Sequence, residues 1–197
     1  MTDPVRVRLA ALRAQMAERG IDIYVVPTAD FHGSEYVGEY FKAREYMTGF
    51  TGSAGTAVIL QDEAGLWTDG RYFIQAAKQL EGSGVTLYRM GEEGVCTVTE
   101  FIRDKLKENG SIGCDGRVLC AKTGEEYRKI AEERHGTLKA EEDLVDLIWT
   151  DRPPLSKEPV FLLEEKYAGE SIDAKLERSE EHTSELQSPI HLVCRLL

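Results

Sequence analysis

Helices alternating with short apolar strands predict an α/β layered domain, since a helix with one apolar stripe and a strand with an apolar face must bury them against each other. Three observations support that class. Val5, Leu9, Leu12 and Met16 recur at the spacing of one helical face within Pro4 to Arg19. Thr56 to Leu60 is a short, apolar, β-branched run with glycines before it, as a buried strand has. Thr97 with Glu100 and Thr123 with Glu126 carry the spacing of a helix-opening capping box, and a short strand follows each predicted helix.

In chain order, the first helix stops at Gly20, where a C-terminal cap belongs. Ile21 to Val26 reads as a strand ended by Pro27. Residues 28 to 34 form a loop, with short helical turns to about Met47. Gly49, Gly52 and Gly55 permit positive φ or close backbone approach ahead of the strand from Thr56. Asp62-Glu-Ala-Gly65 reads as a hairpin-type turn into a second strand ending at Trp67 and Thr68. Asp69-Gly70 then opens a helix from Arg71 to Leu80, so Arg71 stands at a strand-to-helix junction, where a rigid scaffold holds a functional side chain. Val85 to Arg89 is a strand. Thr97 opens a helix to Lys107 closed by Asn109-Gly110, and Ser111 to Cys114 is a strand. Thr123 opens a helix ending near His135-Gly136, and Thr137 to Lys139 is a short strand. Asp151-Arg-Pro-Pro-Leu155 ends the domain at residues 1–155, because two prolines exclude helix and remove two backbone donors. Residues 156–177 read as the start of a second domain, with a strand-like Val160 to Leu163 and a helix beginning near Ser171.

Among 197 residues, 35 are acidic and 24 basic, a formal charge of −11. That balance argues against a nucleic-acid partner, which needs a basic footprint, and gives no support for an anionic membrane surface. No apolar run approaches the ~20 residues of a membrane span, and Met1-Thr-Asp-Pro-Val-Arg lacks the apolar core of a signal peptide. Cys96, Cys114, Cys120 and Cys194 show no CxxC or Cys/His ligand spacing and read as reduced thiols. A soluble, acidic, cytoplasmic chain is predicted.

Four motifs stand here in one order: Asp30-Phe-His-Gly-Ser-Glu-Tyr36, Phe50-Thr-Gly-Ser-Ala-Gly-Thr-Ala57, Trp67-Thr-Asp-Gly-Arg-Tyr-Phe-Ile-Gln-Ala-Ala-Lys-Gln79 and Leu144-Val-Asp-Leu-Ile-Trp-Thr-Asp-Arg-Pro153. Together, over roughly residues 1 to 177, they closely resemble the amino-terminal domain of the Xaa-Pro aminopeptidases in the creatinase and prolidase superfamily. The resemblance implies a ribonuclease H-like layered fold with a mixed β-sheet flanked by helices. It implies a full-length enzyme that removes the residue preceding proline from the start of a peptide, with a proline-containing peptide as substrate and a homo-oligomer, a dimer, as the assembly. It further implies two divalent metal ions, commonly manganese, held by two Asp, one His and two Glu of a carboxy-terminal domain, where they create a hydroxide nucleophile and polarise the carbonyl. None of those ligand motifs occurs in this chain, so it is expected to be non-catalytic and inactive alone, serving substrate access, length selection and oligomer contacts. The alternatives are a noncatalytic peptide- or protein-binding module of the same fold, or another superfamily enzyme such as prolidase or creatinase.

Arg71 is the candidate substrate-binding residue. Its guanidinium presents a fixed fork suited to a carboxylate or peptide carbonyls, and the resemblance places the arginine of this motif at the substrate entrance; the competing reading pairs it with Asp69. His32 and Glu35 lack the third ligand that a catalytic zinc needs, and Ser34 or Glu35 is expected to cap the next helical turn. His135 should meet the C-terminal dipole of its helix. Gly49 to Gly55 lacks the Lys and the following helix of a phosphate loop, so close packing accounts for its glycines. Trp67 and Trp149 read as core or interface anchors, and Asp143 and Asp146 as solvated or capping.

Residues 178–197 are expected to be foreign. Arg178 to Ser188 back-translates onto a sequence resembling a common short-read library adapter, Leu192 to Leu197 fits its continuation, and the helix from Ser171 is interrupted in mid-pattern there. His182 and His191 are set aside with it.

Overall fold

Asp3 opens the first helix: its Oδ1 accepts from the Val5 N–H at 2.8 Å, and Pro4 brings a φ already suited to the first turn. The computed structural model describes residues 3–183. Helix α1 (Pro4–Glu18) buries Val5, Leu9, Leu12 and Met16, the face read from the periodicity, and Gly20 follows with φ +58°. Then come β1 (Ile23–Pro27), α2 (Ala43–Thr48), β2 (Thr56–Leu60), β3 (Ala64–Thr68), α3 (Phe73–Gln79) and β4 (Thr86–Arg89). They are followed by α4 (Val98–Lys105), β5 (Ser111–Cys114), α5 (Ala121–Glu133) and β6 (Thr137–Lys139). Single 3-10 turns occupy Glu39–Phe41 and Gly116–Val118.

The strands form one mixed sheet in the order β4-β3-β2-β1-β5-β6. Only β2 runs against the others. Five strands therefore end at the same sheet edge, where ligands of open α/β sheets bind. Alternate residues of β1 and β2 face opposite sides: Tyr24, Val26, Ala57 and Ile59 join the core under α1, α2 and α3, whereas Ile23, Val25, Val58 and Leu60 join that under α4 and α5. Cover on both faces explains why these strands are apolar throughout.

Several local expectations shift. The Thr97–Glu100 capping box forms, with Thr97 N–H donating to Glu100 Oε2 at 2.7 Å and Glu100 N–H to Thr97 Oγ1 at 3.2 Å. Thr123–Glu126 does not, because α5 already begins at Ala121 behind Cys120; Thr123 Oγ1 instead lies 3.2 Å from Cys120 Sγ. Ala64 and Gly65 belong to β3 rather than to the turn. Arg71 precedes α3 by two residues, since the Tyr72 N–H first closes a turn onto the Asp69 carbonyl at 3.0 Å. Gly136 packs against the Gly110 carbonyl so closely that a Cβ would overlap it. Gly136→Ala is therefore expected to cost about 3 kcal/mol, as overpacking against backbone does; an unchanged urea midpoint would contradict the packing.

The chain divides into two compact units, Met1–Ser156 and Lys157–Leu197. The second carries α6 (Glu165–Ala168) and α7 (Ile172–Thr183). Val160 to Leu163 joins no ladder among the described residues and stays exposed, since an apolar run becomes a strand only where a neighbouring edge offers partners. Helix α7 continues past Arg178, whose guanidinium meets Glu170 at 2.7 Å, so the helical pattern is not interrupted at that point. Residues 184–197, with His191 and Cys194 of the proposed tail, lie outside the described residues, as does the side chain of His182.

Candidate functional site

At the edge where β1 and β3 end, three segments meet: the loop after β1, the glycine-rich loop before β2 and the Asp69-Gly70-Arg71 corner. The first two are tied by Thr28, whose N–H and hydroxyl both donate to the Gly55 carbonyl at 2.9 Å. Thr68 Oγ1 donates to the Ala54 carbonyl at 2.7 Å, and the Ser53 and Tyr72 hydroxyls lie 2.7 Å apart. The glycines serve packing. Gly49 ends α2 with φ +72°, and a Cβ on Gly55 would sit 3.0 Å from the Trp67 carbonyl.

Arg44 holds this loop from beneath. It is 3% exposed, and its guanidinium donates to the Phe50 and Gly52 carbonyls and, through Nε, to Thr28 Oγ1 at 3.0 Å. Burial pushes its pKa down to about 10, which leaves it cationic at neutral pH. The sequence reading missed Arg44, because nothing local marks an arginine on a short helix as a clamp for carbonyls several residues on.

Arg71 lines an adjoining cleft of about 370 Å3 with Ser34, Glu35, Thr68, Asp69 and Met90. Asp69 Oδ1 accepts from Arg71 Nε at 2.9 Å and Oδ2 from Nη2 at 2.8 Å. Arg71 thus pairs with Asp69, yet its side chain remains 65% exposed, so the pairing orients the fork without covering it. The Asp69 carboxylate raises the arginine above its ordinary range, and the arginine holds the Asp69 carboxyl below its own.

The other candidates separate from this cleft or take structural parts. Asp30, rather than Ser34 or Glu35, organises the loop after β1: its Oδ1 accepts from the His32 and Ser34 N–H groups at 2.9 Å each. A side chain two to four residues upstream reaches these donors more easily than Ser34 or Glu35 can reach back. His135 is exposed, 3.7 Å from Glu108, and its N–H donates to the Glu132 carbonyl at the end of α5. Trp67 is buried and donates to the Cys96 carbonyl at 2.8 Å, and Trp149 stacks on Tyr46 at 4.5 Å. Asp143 caps Val145 and Asp146, but it is not solvated: Arg152 reaches it at 2.7 Å in a buried pair. Asp146 is exposed and meets Arg152 at 2.9 Å. Cys96, Cys114 and Cys120 are free thiols. Among the described residues no three His, Cys, Asp or Glu side chains converge, so the residues present do not fit a dinuclear metal centre. No helix among them is long and apolar enough to cross a membrane.

Residues 8–148 match the model of the creatinase/prolidase N-terminal domain, well over half of the chain. The chain belongs to that family. Within the family, it is 46% identical over 179 residues to a Neurospora crassa protein named "Probable Xaa-Pro aminopeptidase P", covering 89% of this chain and 26% of that protein. It is 42% identical over 174 residues to Aminopeptidase P2 of Arabidopsis thaliana, covering 86% of this chain and 24% of that one. The family fold superposes on the X-prolyl aminopeptidase of Caenorhabditis elegans, described as a cytosolic enzyme with a di-nuclear active site, with a TM-score of 0.79 and 31% identity over 92% of this chain and 31% of that one. The chain spans about a quarter of the length of the curated relatives it matches.

Proposed function

We propose that this chain is the amino-terminal, non-catalytic domain of a metal-dependent Xaa-Pro aminopeptidase, and that Arg71 contacts the peptide substrate. The observation that carries the reading is an exposed guanidinium, pre-oriented by Asp69, in a cleft at the strand ends of a domain shared with proteins of that name. An oriented fork loses little freedom on binding a peptide carbonyl or carboxylate. The metal ions, manganese in this reading, belong to a domain outside this chain, as does the nucleophile; the cytoplasmic location and the dimer are part of the same proposal.

In the full-length enzyme, Arg71→Ala is expected to lower kcat/KM by about 10- to 150-fold, the equivalent of roughly 1.5–3 kcal/mol, chiefly through KM if Arg71 binds ground and transition states alike. Steady-state kinetics on an Xaa-Pro peptide read this directly. Unchanged kinetics with a lowered Tm would assign Arg71 to the corner's architecture alone. The 197-residue chain by itself, with added Mn2+, is expected to release no residue from the same peptide; metal-dependent cleavage would overturn the non-catalytic assignment.

We further infer that residues 156–177 begin a second domain and that residues 178–197 are foreign to it. The exposed Val160, Phe161, Leu162 and Leu163 support the first part, because an apolar run of that size ordinarily packs against something. Sequencing the source DNA across the Glu177 codon tests the second: native genomic sequence encoding Arg178 to Leu197 refutes it.

A further inference from the structure

One tripeptide occurs twice in this chain with one conformation. Asp69-Gly70-Arg71 follows β3, and Asp115-Gly116-Arg117 follows β5. In each, the aspartate Oδ1 accepts from the arginine N–H, at 3.1 and 3.0 Å, and from its Nε, at 2.9 Å in both. Oδ2 accepts from Nη2 at 2.8 and 3.0 Å. Both arginine side chains remain more than half exposed. Because β3 and β5 run the same way, the two forks stand at the same sheet edge. Two strands, β2 and β1, separate them. Three inter-strand spacings amount to about 14 Å, and an extended peptide covers that distance in about four residues.

The Arg117 corner borders a cleft of about 420 Å3 whose walls include Phe31, Leu119 and Tyr127. Phe31 is exposed, and the Arg117 guanidinium lies 5.5 Å from its ring centre. A cation beside an exposed aromatic ring over an apolar cleft suits an apolar side chain followed by an anion. Asp115 and the buried Asp143 are paired with Arg117 and Arg152, and Arg152 also meets Asp146. Asp30 in the cleft keeps its negative charge while accepting two backbone N–H groups, so an incoming carboxylate would bind through the exposed Arg117 fork itself and not through an excess of local positive charge.

We propose that Arg117 is a second peptide contact, taking the C-terminal carboxylate of a peptide that passes Arg71 about four residues earlier and whose last apolar side chain enters the cleft beside Phe31. The proposal rests on the peptide reading of Arg71 and adds to it a preference for length and for a free carboxylate.

The test uses the 197-residue chain, labelled with nitrogen-15, and peptides that begin Ala-Pro and end in Leu. Peptides of three and six residues are compared, each as the free acid and as the C-terminal amide, while the Nε–H signals of Arg71 and Arg117 are followed. The six-residue acid is expected to move both signals and to bind about tenfold more tightly than its amide, a charge-assisted contact's worth. The three-residue peptides should move Arg71 alone, and Arg117→Gln should abolish the difference between acid and amide while leaving the Arg71 response. Equal binding of acid and amide to the unaltered chain, with only Arg71 moving, overturns the Arg117 site and leaves the Arg71 reading intact. Movement of Arg117 alone overturns the Arg71 reading and the four-residue span. No movement of either overturns both.

Discussion

Trp67→Ala is expected to destabilise the domain by about 3–5 kcal/mol, the cost of removing a fully buried large aromatic. The indole is 0% exposed and lies flat on Tyr88, with ring centres 4.0 Å apart, while Phe101 meets its edge at 4.8 Å. Gly65 makes room for it: a Cβ there would come within 2.7 Å of both the indole and the Tyr88 ring. Truncation therefore leaves a cavity between β3, β4 and α4 whose rigid walls cannot collapse, and it strips the Cys96 carbonyl of its donor. Urea unfolding followed by circular dichroism measures the loss. A change below about 1 kcal/mol would contradict a core role and return Trp67 to the surface. Trp67→Phe should fall between, since it keeps part of the stack and loses the hydrogen bond.

Arg44→Ala is expected to cost on the order of 3 kcal/mol, because two buried carbonyls and a hydroxyl lose a charged donor together. Arg44→Lys should not restore stability: one ammonium cannot span the Phe50 and Gly52 carbonyls that the planar fork bridges. Arg44→Met tests the cause. It removes the buried charge, whose desolvation costs stability, yet it leaves the carbonyls unpaired and should remain destabilised. If Arg44→Met is as stable as the natural chain, the clamp contributes nothing and the carbonyls find other partners. Because the glycine-rich loop lines the same cleft as Arg71 through Ser53, Ala54 and Gly55, the alanine variant is also expected to weaken peptide binding at that cleft.

Most of the helices and strands were legible from local pattern. The α1 face, the apolar run of β2, the Thr97 capping box and the strands Ser111–Cys114 and Thr137–Lys139 each depend on a few neighbouring residues. Boundaries were less so. The Thr123–Glu126 pair has the right spacing but sits inside α5, because a capping box is a geometry that any matching pair mimics in sequence. Val160 to Leu163 shows the same limit for strands.

The candidate site divides in the same way. Arg71 was visible because its corner lies within one short motif, and its pairing with Asp69 spans two residues. Asp115-Gly116-Arg117 was equally present in the chain as a repeat of that tripeptide, but its meaning depends on strand order. Only the sheet, by inserting β2 and β1 between β3 and β5, sets the two forks on one edge at a peptide's span. Likewise, Arg44 reaches Thr28 across sixteen residues, and Asp143 meets Arg117 across twenty-six. By itself the sequence determined what short-range sterics and periodicity control: the elements and the turn glycines. Which buried charges find acceptors, and which exposed ones stand on one sheet edge, depended on contacts between residues far apart in the chain, whose partners are selected by the packing of the whole sheet and its two helical layers.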